Sequence, residues 1–315
     1  MRGLHLIPTD INLSFVSKRI AFFVFSVTLV LASMGLFFVN GLNLGIDFKG
    51  GILIEVRTEK TADIAAMRGQ LETIGLGEVA LQEFGDPNEV LIRVQRQEGG
   101  EKAQQVAVDK IKAALGEGIK YRRTEFVGPK VSAELLWDGI LAVSFAILAI
   151  LVYIWFRFEW QFGMGAVAAL THDVLSTIGI FALFGFEFNL STVAAVLTIA
   201  GYSINDTVVV YDRVRENLRK YKKMPFPELL NKSINETLSR TVMTSVTTLL
   251  ALLALYFLGG AVLRDFSFAM IWGVIIGTYS SICIAVPALL YLDVDRQGAM
   301  MNEPDQEAAS DNGTP

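Results

Sequence analysis

Cysteine is almost absent from this sequence: Cys283 is the only one among 315 residues. A single cysteine excludes an intrachain disulfide and a cysteine-rich metal site, and its place in an apolar run favours a small core residue over a reactive thiol. Residues 41–133 also contain no Cys/His cluster, no phosphate-binding glycine loop and no nucleophile–base pair. We therefore expect no metal, no cofactor and no enzymatic activity, and a binding or mechanical role instead.

Long apolar runs dominate what is present. Hydrophobic residues make up 52% of the chain and its mean hydropathy is +0.46, which is too apolar for a soluble domain of this length. A hydrocarbon core of ~30 Å takes about 20 helical residues to cross. Runs of that kind occur at 20–39, 135–156, 163–185, 189–210, 241–258 and 266–292. The sequence predicts a polytopic α-helical membrane protein with six transmembrane helices, the first of which lacks a cleavage site and is retained.

Positive charge is concentrated in one segment between spans. Residues 211–239 contain Arg213, Arg215, Arg219, Lys220, Lys222, Lys223 and Lys232, whereas the turns near 186–188 and 259–265 contain only Arg264. Because short cytoplasmic loops carry the excess of Lys and Arg, we expect a cytoplasmic loop at 211–239, with both termini in the cytoplasm. The predicted organisation is a cytoplasmic N-terminal segment (1–19), transmembrane helix 1 (20–40), a periplasmic domain (41–133), five further helices (134–292) and a disordered acidic cytoplasmic tail (293–315).

The predicted periplasmic domain has the signals of an α+β fold. Residues 51–58 are of β type, 61–75 have helical spacing, and two strand-like runs flank the turn at Gly85-Asp86-Pro87. A helix at 100–116 and a strand at 119–127 follow. The order βαββαβ is the ferredoxin-like pattern, an antiparallel sheet with two helices on one face.

An acidic residue in the fourth apolar run requires an explanation. Asp206, beside Asn205, lies 16 residues after Leu190, or ~24 Å along a helix. An ionisable group in lipid costs at least ~2.5 kcal/mol on insertion scales, so such groups usually face protein or water and have a task. A polar stripe that leads toward the acid is predicted on one face of this helix from Ser191, Thr198, Tyr202 and Asn205.

Arg240, at the start of the fifth run, is the predicted partner of Asp206. Consecutive spans run antiparallel, which places the two charges at similar depth. Loss of water favours the protonated carboxyl and a nearby arginine favours the ionised one, so a change in their separation would switch proton uptake to release. Two other interpretations stay open: Asp206 pairs with Arg213 or solvent at the helix end, and Arg240 is a lipid-headgroup anchor.

His172 and Asp173 in the third run are predicted near the middle of the membrane. They follow Gly163 by nine and ten residues, which places them ~14 Å in by helical rise. They are either a proton relay or a structural pair bonded to each other or to a carbonyl.

Glycines in three of the runs favour close helix packing. Gly273 and Gly277 form a GxxxG pattern in the sixth run. Gly163, Gly165 and Gly201 are predicted to permit a similar approach elsewhere in the bundle.

Four segments resemble a known family. They are GLNLGIDFKGG (41–51), VGPKVSAEL (127–135), THD in the third run and GYSINDTVVVYDRVRE (201–216), of which the last is the most specific. Together they resemble the SecF family of the bacterial SecD/SecF pair, which attaches to the Sec protein-translocation channel and is similar to resistance-nodulation-division transporters. The resemblance covers about residues 10–292.

The resemblance implies a motor in the bacterial inner membrane, in which the proton-motive force drives periplasmic domains that help preproteins to leave the channel. It implies Asp206 as the functional acid and Arg240 as its basic partner. The implied partners are a SecD-like subunit, the SecYEG channel, YajC and YidC, preproteins, protons and membrane lipid, with no nucleic acid.

The segment Asp47-Phe48-Lys49-Gly50-Gly51 belongs to this resemblance, although Lys49 stands where the family has an uncharged residue. From the residues alone it is a turn from helix to strand, in which the two glycines supply permissive backbone angles. A stiff joint that passes motion from the first helix to the sheet is compatible with it.

Two other functions stay open. A proton-coupled exporter of small molecules needs a large external cavity, for which residues 41–133 scarcely leave room. A passive assembly scaffold would not need Asp206 or Arg240. One bundle without a detectable internal repeat argues for a partner bundle, since transporter pathways lie between repeat halves.

Overall fold

The computed structural model describes residues 12–77, 79–259, 263–292 and 294. The helices are α1 Arg19–Asn40, α2 Ile46–Lys49, α3 Ile64–Glu72, α4 Gly100–Leu115, α5 Pro129–Arg157, α6 Trp160–Phe184, α7 Leu190–Lys220, α8 Phe226–Leu258, α9 Arg264–Ser280 and α10 Val286–Ala288. The strands are β1 Asn43–Leu44, β2 Gly51–Thr58, β3 Val79–Phe84, β4 Asp86–Val94, β5 Ile119–Val127 and β6 Glu187–Phe188. A 3₁₀ turn, Val16–Lys18, precedes α1, and a π-helical segment, Ser281–Ala285, joins α9 to α10 before a last 3₁₀ turn, Leu289–Tyr291.

Six helices in the described part of the chain are long and apolar enough to cross a membrane: α1, α5, α6, α7, α8, and α9 with its continuation to Tyr291. The predicted set of six transmembrane helices is confirmed. Half or more of the apolar window is buried in α6, α7 and the last span, but less than a fifth in α1, α5 and α8. The first three therefore form the centre of the bundle, and the other three present apolar side chains such as Phe38 and Phe156 outward, as lipid requires.

The domain between α1 and α5 has the predicted βαββαβ order. Its four strands form an antiparallel sheet in the order β3-β4-β2-β5, and α3 and α4 pack on one face. Alternate strand residues point to that face and are fully buried with helix residues, among them Ile52, Ile54, Leu71, Ile92 and Ile111. The ferredoxin-like prediction is confirmed.

The prediction of a loop over 211–239 was wrong about the length of the loop. α7 continues to Lys220 and α8 already begins at Phe226, so only five residues, 221–225, lie between them. Lys222 and Lys223 lie in this connection, and the other basic residues lie on the outward sides of two helices whose inner faces are apolar at helical spacing. The buried residues of those inner faces include Tyr211, Val214 and Leu218 on α7 and Leu230, Ile234 and Leu238 on α8.

A second, two-stranded sheet attaches the domain to the bundle. β1 follows α1, β6 lies between α6 and α7, and the two pair in parallel with Asn43 opposite Glu187 and Leu44 opposite Phe188. The predicted N-terminal segment before residue 12 and the predicted tail, 293–315, lie outside the described residues except for Val294.

Candidate functional site

Asp206 lies on the buried face of α7, with only 3% of its surface exposed. Ser203, Thr207 and Val210 are buried on the same side, because residues three and four apart share a helix face. Asp206 Oδ2 has no hydrogen-bond partner among the described protein atoms. One carboxyl oxygen is therefore shielded from water without being fixed by a neighbouring side chain.

Arg240 lies on α8, which packs against α7. Its positive charge acts on the Asp206 carboxylate, yet no ion pair of 4.0 Å or less joins these two described residues. The Arg240 side chain is exposed at the surface of the bundle. The two charges therefore influence each other without forming a direct contact.

Asn205 lies away from the Asp206 carboxyl. It is exposed on the outer side of α7, while Asp206 is buried, because consecutive helix residues point about 100° apart. The other members of the predicted polar stripe also bond elsewhere. The Thr198 hydroxyl donates to Ala194 O at 2.8 Å, and the Tyr202 hydroxyl donates to Ser245 Oγ on α8 at 3.4 Å. The predicted stripe therefore does not lead to the acid.

His172 and Asp173 form a buried network that joins three helices. His172 Nδ1 lies 2.9 Å from Asp173 Oδ1. The hydroxyls of Ser203 on α7 and Ser280 on α9 donate to Asp173 Oδ2 at 2.6 and 2.7 Å. Asp173 is fully buried, and these bonds offset part of the cost of its removal from water. The pair therefore links the centres of α6, α7 and α9.

The serines of this network were not predicted as site residues. Ser280 ends α9, and the π-helical segment begins at Ser281, whose hydroxyl lies 2.8 Å from Thr207 Oγ1 and donates to Ser203 O at 3.3 Å. π-helical turns occur often at functional sites. The sequence signal was the pair Ser203 and Thr207, four residues apart beside Asp206 on α7.

The glycines divide into two groups. A Cβ added at Gly273 would overlap the Ile199 side chain, and one added at Gly277 would lie 3.2 Å from Ser203 Cβ. α9 therefore packs closely against α7 at these two positions. Gly201, in contrast, is exposed, and an added Cβ would meet no heavy atom within 4 Å. No described helix packs on Gly201.

The segment from Asp47 to Gly51 contacts the start of α7. Asp47 Oδ2 accepts a hydrogen bond of 2.9 Å from the Leu190 backbone N–H, and Phe48 is buried against Phe188, with ring centroids 6.2 Å apart. Lys49, the departure from the family pattern, is exposed. The residues expected to join the first helix to the sheet therefore also contact the helix that carries Asp206.

Arg93 and Glu187 form an ion pair between β4 of the sheet and β6 of the bundle. Glu187 is buried, and burial raises its pKa above the usual glutamate value; Asp265 and Asp47 add to this rise, while Arg93 opposes it. Sequence reasoning missed this pair because its partners are 94 residues apart and neither stands in a recognisable pattern.

Comparisons with known proteins agree with this architecture. Residues 107–295 match the family described as protein export membrane protein SecD/SecF, C-terminal, and residues 35–62 match the SecD/SecF GG motif. The chain is 48% identical over 308 residues to the protein translocase subunit SecF of Rhodobacter capsulatus, covering 93% of this chain and 92% of that protein. It is 47% identical over 290 residues to the same subunit of Rickettsia rickettsii, covering 91% and 94%.

Solved structures give the same relationship. The crystal structure of SecDF, a translocon-associated membrane protein from Thermus thermophilus, matches with a TM-score of 0.82 and 38% identity over 91% of this chain. SecDF in the super-membrane-facing form matches with a TM-score of 0.66 and 37% identity over 90%. This chain spans 39% of the length of either SecDF chain.

Proposed function

Because the chain belongs to the SecD/SecF family of protein export membrane proteins, and within it to the SecF members, we propose that it uses the proton-motive force to assist preprotein export through the Sec channel. Asp206 is the proton carrier and Arg240 is its charge partner. The bundle lies in the bacterial inner membrane with both termini in the cytoplasm, and residues 41–133 lie in the periplasm. The protein acts mechanically rather than as an enzyme.

The burial of Asp206 is the observation that carries this proposal. An acid with 3% exposure in a membrane helix is costly when ionised, unless a cation approaches it. Arg240 is near enough to act on it without forming an ion pair. A shift of α8 toward α7 favours the ionised acid and releases a proton, and the reverse shift favours proton uptake.

The membrane supplies enough free energy for such a shift. Each charge that crosses the membrane releases about 2.3 kcal/mol per 100 mV, and each pH unit across it adds ~1.4 kcal/mol. A helix pair can have two stable arrangements whose free energies differ by a few kcal/mol. The binding or release of one proton is therefore enough to switch between them. We propose that this alternation drives the periplasmic domain.

A SecD-like subunit is the proposed direct partner. Asn205, Gly201 and Arg240 lie on exposed faces of α7 and α8, and polar side chains in a membrane helix usually face protein or water rather than lipid. The SecDF chain, of which this chain covers 39%, supports a second bundle beside the first. We further propose SecYEG as the channel served, with YajC and YidC as associated proteins.

The test is preprotein export by proteoliposomes that contain the complete complex, with and without a proton gradient. Asp206→Asn removes the titratable charge with little change in size and is expected to abolish the stimulation of export by the gradient. Asp212→Asn is the matched control, because Asp212 lies on the same helix in an exposed ion pair with Arg157. Full gradient-dependent export in Asp206→Asn would overturn Asp206 as the proton carrier and would favour a scaffold function for this subunit. Proton-driven uptake of small molecules without preprotein export would favour the exporter.

A further inference from the structure

We propose that Asp47 is a positioning residue that caps α7 and thereby couples the sheet domain to the helix carrying Asp206, a role that rests on the function proposed above. Asp47 lies in the segment that matches the GG motif. The expectation from the sequence was a joint between the first helix and the sheet. The contacts in the structure point in addition to a joint between the sheet and α7.

The first observation is the cap itself. The first backbone N–H groups of a helix have no partner within that helix. Asn189, the residue before α7, accepts from the Thr192 N–H at 3.1 Å, and Asp47 accepts from the Leu190 N–H at 2.9 Å. One cap is therefore local, while the other comes from a segment 143 residues earlier in the chain.

The second observation is that the cap is held in place on the side of α7. The Gly45 N–H donates to Phe188 O at 3.0 Å, and β1 pairs with β6 just before it. Phe48 is buried against Phe188. Residues 43–48 are thus attached to residues 187–190 by backbone pairing, a ring contact and the cap.

The third observation is that the same segment is fixed to the sheet. Gly50 and Gly51 have φ of +72° and +131°, which side-chain-bearing residues rarely adopt. A Cβ at Gly51 would lie 2.6 Å from Val94 O, and one at Gly50 would lie 3.1 Å from Val127 O and 3.3 Å from Ser132 Oγ. The two glycines therefore let the chain pass from the cap into β2 while touching β4, β5 and the start of α5.

A separate contact joins the sheet to the residues just before α7. Arg93 on β4 pairs with Glu187 and donates to Asn43 Oδ1 at 3.4 Å. The cap and this ion pair thus hold the sheet domain to the entrance of α7 from two directions.

α7 connects its capped end at Leu190 to Asp206 inside the membrane. It is a continuous helix of 31 residues, and Asp206 lies 16 residues after Leu190, or ~24 Å along the axis. A regular helix moves as one body, so a displacement at Asp206 reaches the capped end. Asp47 then passes the displacement to the sheet domain.

The test distinguishes the loss of the hydrogen-bond acceptor at Asp47 from the loss of its charge. Asn is as good an N-cap as Asp, so Asp47→Asn keeps the acceptor for Leu190 N–H, whereas Asp47→Ala removes it. Lys49→Ala is the matched control, because Lys49 lies on the same helix, α2, and is exposed. Comparable size-exclusion profiles establish that all variants fold and assemble with the SecD-like subunit.

The readouts are a distance and an activity in the reconstituted complex. Spin labels at positions 102 on α4 and 220 on α7, in a Cys283→Ser background, report the distance between the sheet domain and the bundle. We expect Asp47→Ala to broaden this distribution and to lower gradient-driven export about fivefold, the effect of a lost cap on an equilibrium. Asp47→Asn and Lys49→Ala are expected to retain the parent distribution and export.

Asp206→Asn, measured in the same assay, distinguishes failure of this inference from failure of the proposed function. If Asp206→Asn abolishes gradient-driven export but Asp47→Ala leaves either the distance distribution or the export unchanged, the coupling role is wrong. If Asp206→Asn exports normally while Asp47→Ala broadens the distribution, the attachment stands and the proton function is wrong. Loss of export in Asp47→Asn equal to that in Asp47→Ala would also overturn the cap, because it would assign the effect to charge.

Discussion

At the scale of single residues, Asp173 and Asp206, two buried acids on the membrane helices, are in opposite situations. Asp173 accepts hydrogen bonds from Ser203 and Ser280 and contacts His172, so both of its carboxyl oxygens are held by fixed neighbours. Asp206 has one buried oxygen without a partner and a cation only nearby. A fixed network suits a structural role, and a loosely partnered acid suits a change of protonation. The contrast supports Asp206 rather than Asp173 as the proton carrier.

Removal of one donor to Asp173 tests its structural role. Ser280→Ala leaves a buried carboxylate oxygen with one hydroxyl fewer, and we expect a loss of about 1–3 kcal/mol in the free energy of unfolding. Thr198→Val is the control, because the Thr198 hydroxyl donates only to the carbonyl of its own helix at an exposed position. Thermal unfolding in detergent measures both. Equal stability of the two variants would show that the network contributes nothing.

At the scale of helices, the centre of the bundle depends on the close approach of α9 to α7. The GxxxG pattern predicted tight packing, and the structure brings Gly273 and Gly277 against Ile199 and Ser203. Gly201 is also a glycine, but it lies on the outer face of α7. Composition alone does not distinguish these cases, because the inward face of a helix in lipid is set by neighbours rather than by polarity.

Alanine substitutions at these glycines are expected to differ. Gly273→Ala places a methyl group in the volume of the Ile199 side chain, and overpacking of this kind costs about 1–3 kcal/mol. Gly201→Ala meets open space and is expected to leave the isolated subunit as stable as the parent. The check is the thermal midpoint of each variant in the same detergent. A larger loss for Gly201→Ala would contradict the packing described for α7 and α9.

At the scale of the whole molecule, the sheet domain and the bundle meet at the cluster around Glu187. The sequence predicted both parts, since periodicity defines each, but not how they join. Arg93 and Glu187 are 94 residues apart, and Asp47 and Leu190 are 143 residues apart. Local sequence patterns carry no information on such contacts. The sequence also singled out Asp206 and Arg240 as candidates, because a charge in or beside an apolar run is conspicuous. It missed Ser203 and Ser280, because hydroxyls in membrane helices are common.

The Glu187 carboxyl is expected to make the stability of this junction depend on pH. Its native pKa is raised because burial disfavours the charged form, so the folded state binds the proton more tightly than the unfolded state, where the pKa is ~4.3. The contribution of Glu187 to folding stability is fully present below its pKa in the unfolded state. That contribution is lost as the pH rises through its pKa in the native state.

The direction of this pH dependence is tested by the thermal midpoints of the parent and of Glu187→Gln. They are measured from the pKa of Glu187 in the unfolded state upward to its pKa in the native state. The parent is expected to lose stability with rising pH relative to Glu187→Gln, whose neutral side chain removes this contribution. Arg93, Asp265 and Asp47 are the charged groups that act on Glu187, and they remain in both proteins. Parallel pH profiles would contradict the predicted effect of burial.

Infrared difference spectroscopy of the reconstituted complex tests the central claim most directly, because it observes the protonation of a carboxyl group itself. We predict that an imposed change of pH produces a C=O stretching band of a protonated carboxylic acid that is present in the parent and in Asp212→Asn but missing in Asp206→Asn. A band of equal size in Asp206→Asn, or no carboxyl band in the parent, would contradict the assignment of Asp206 as the group that gains and loses the proton.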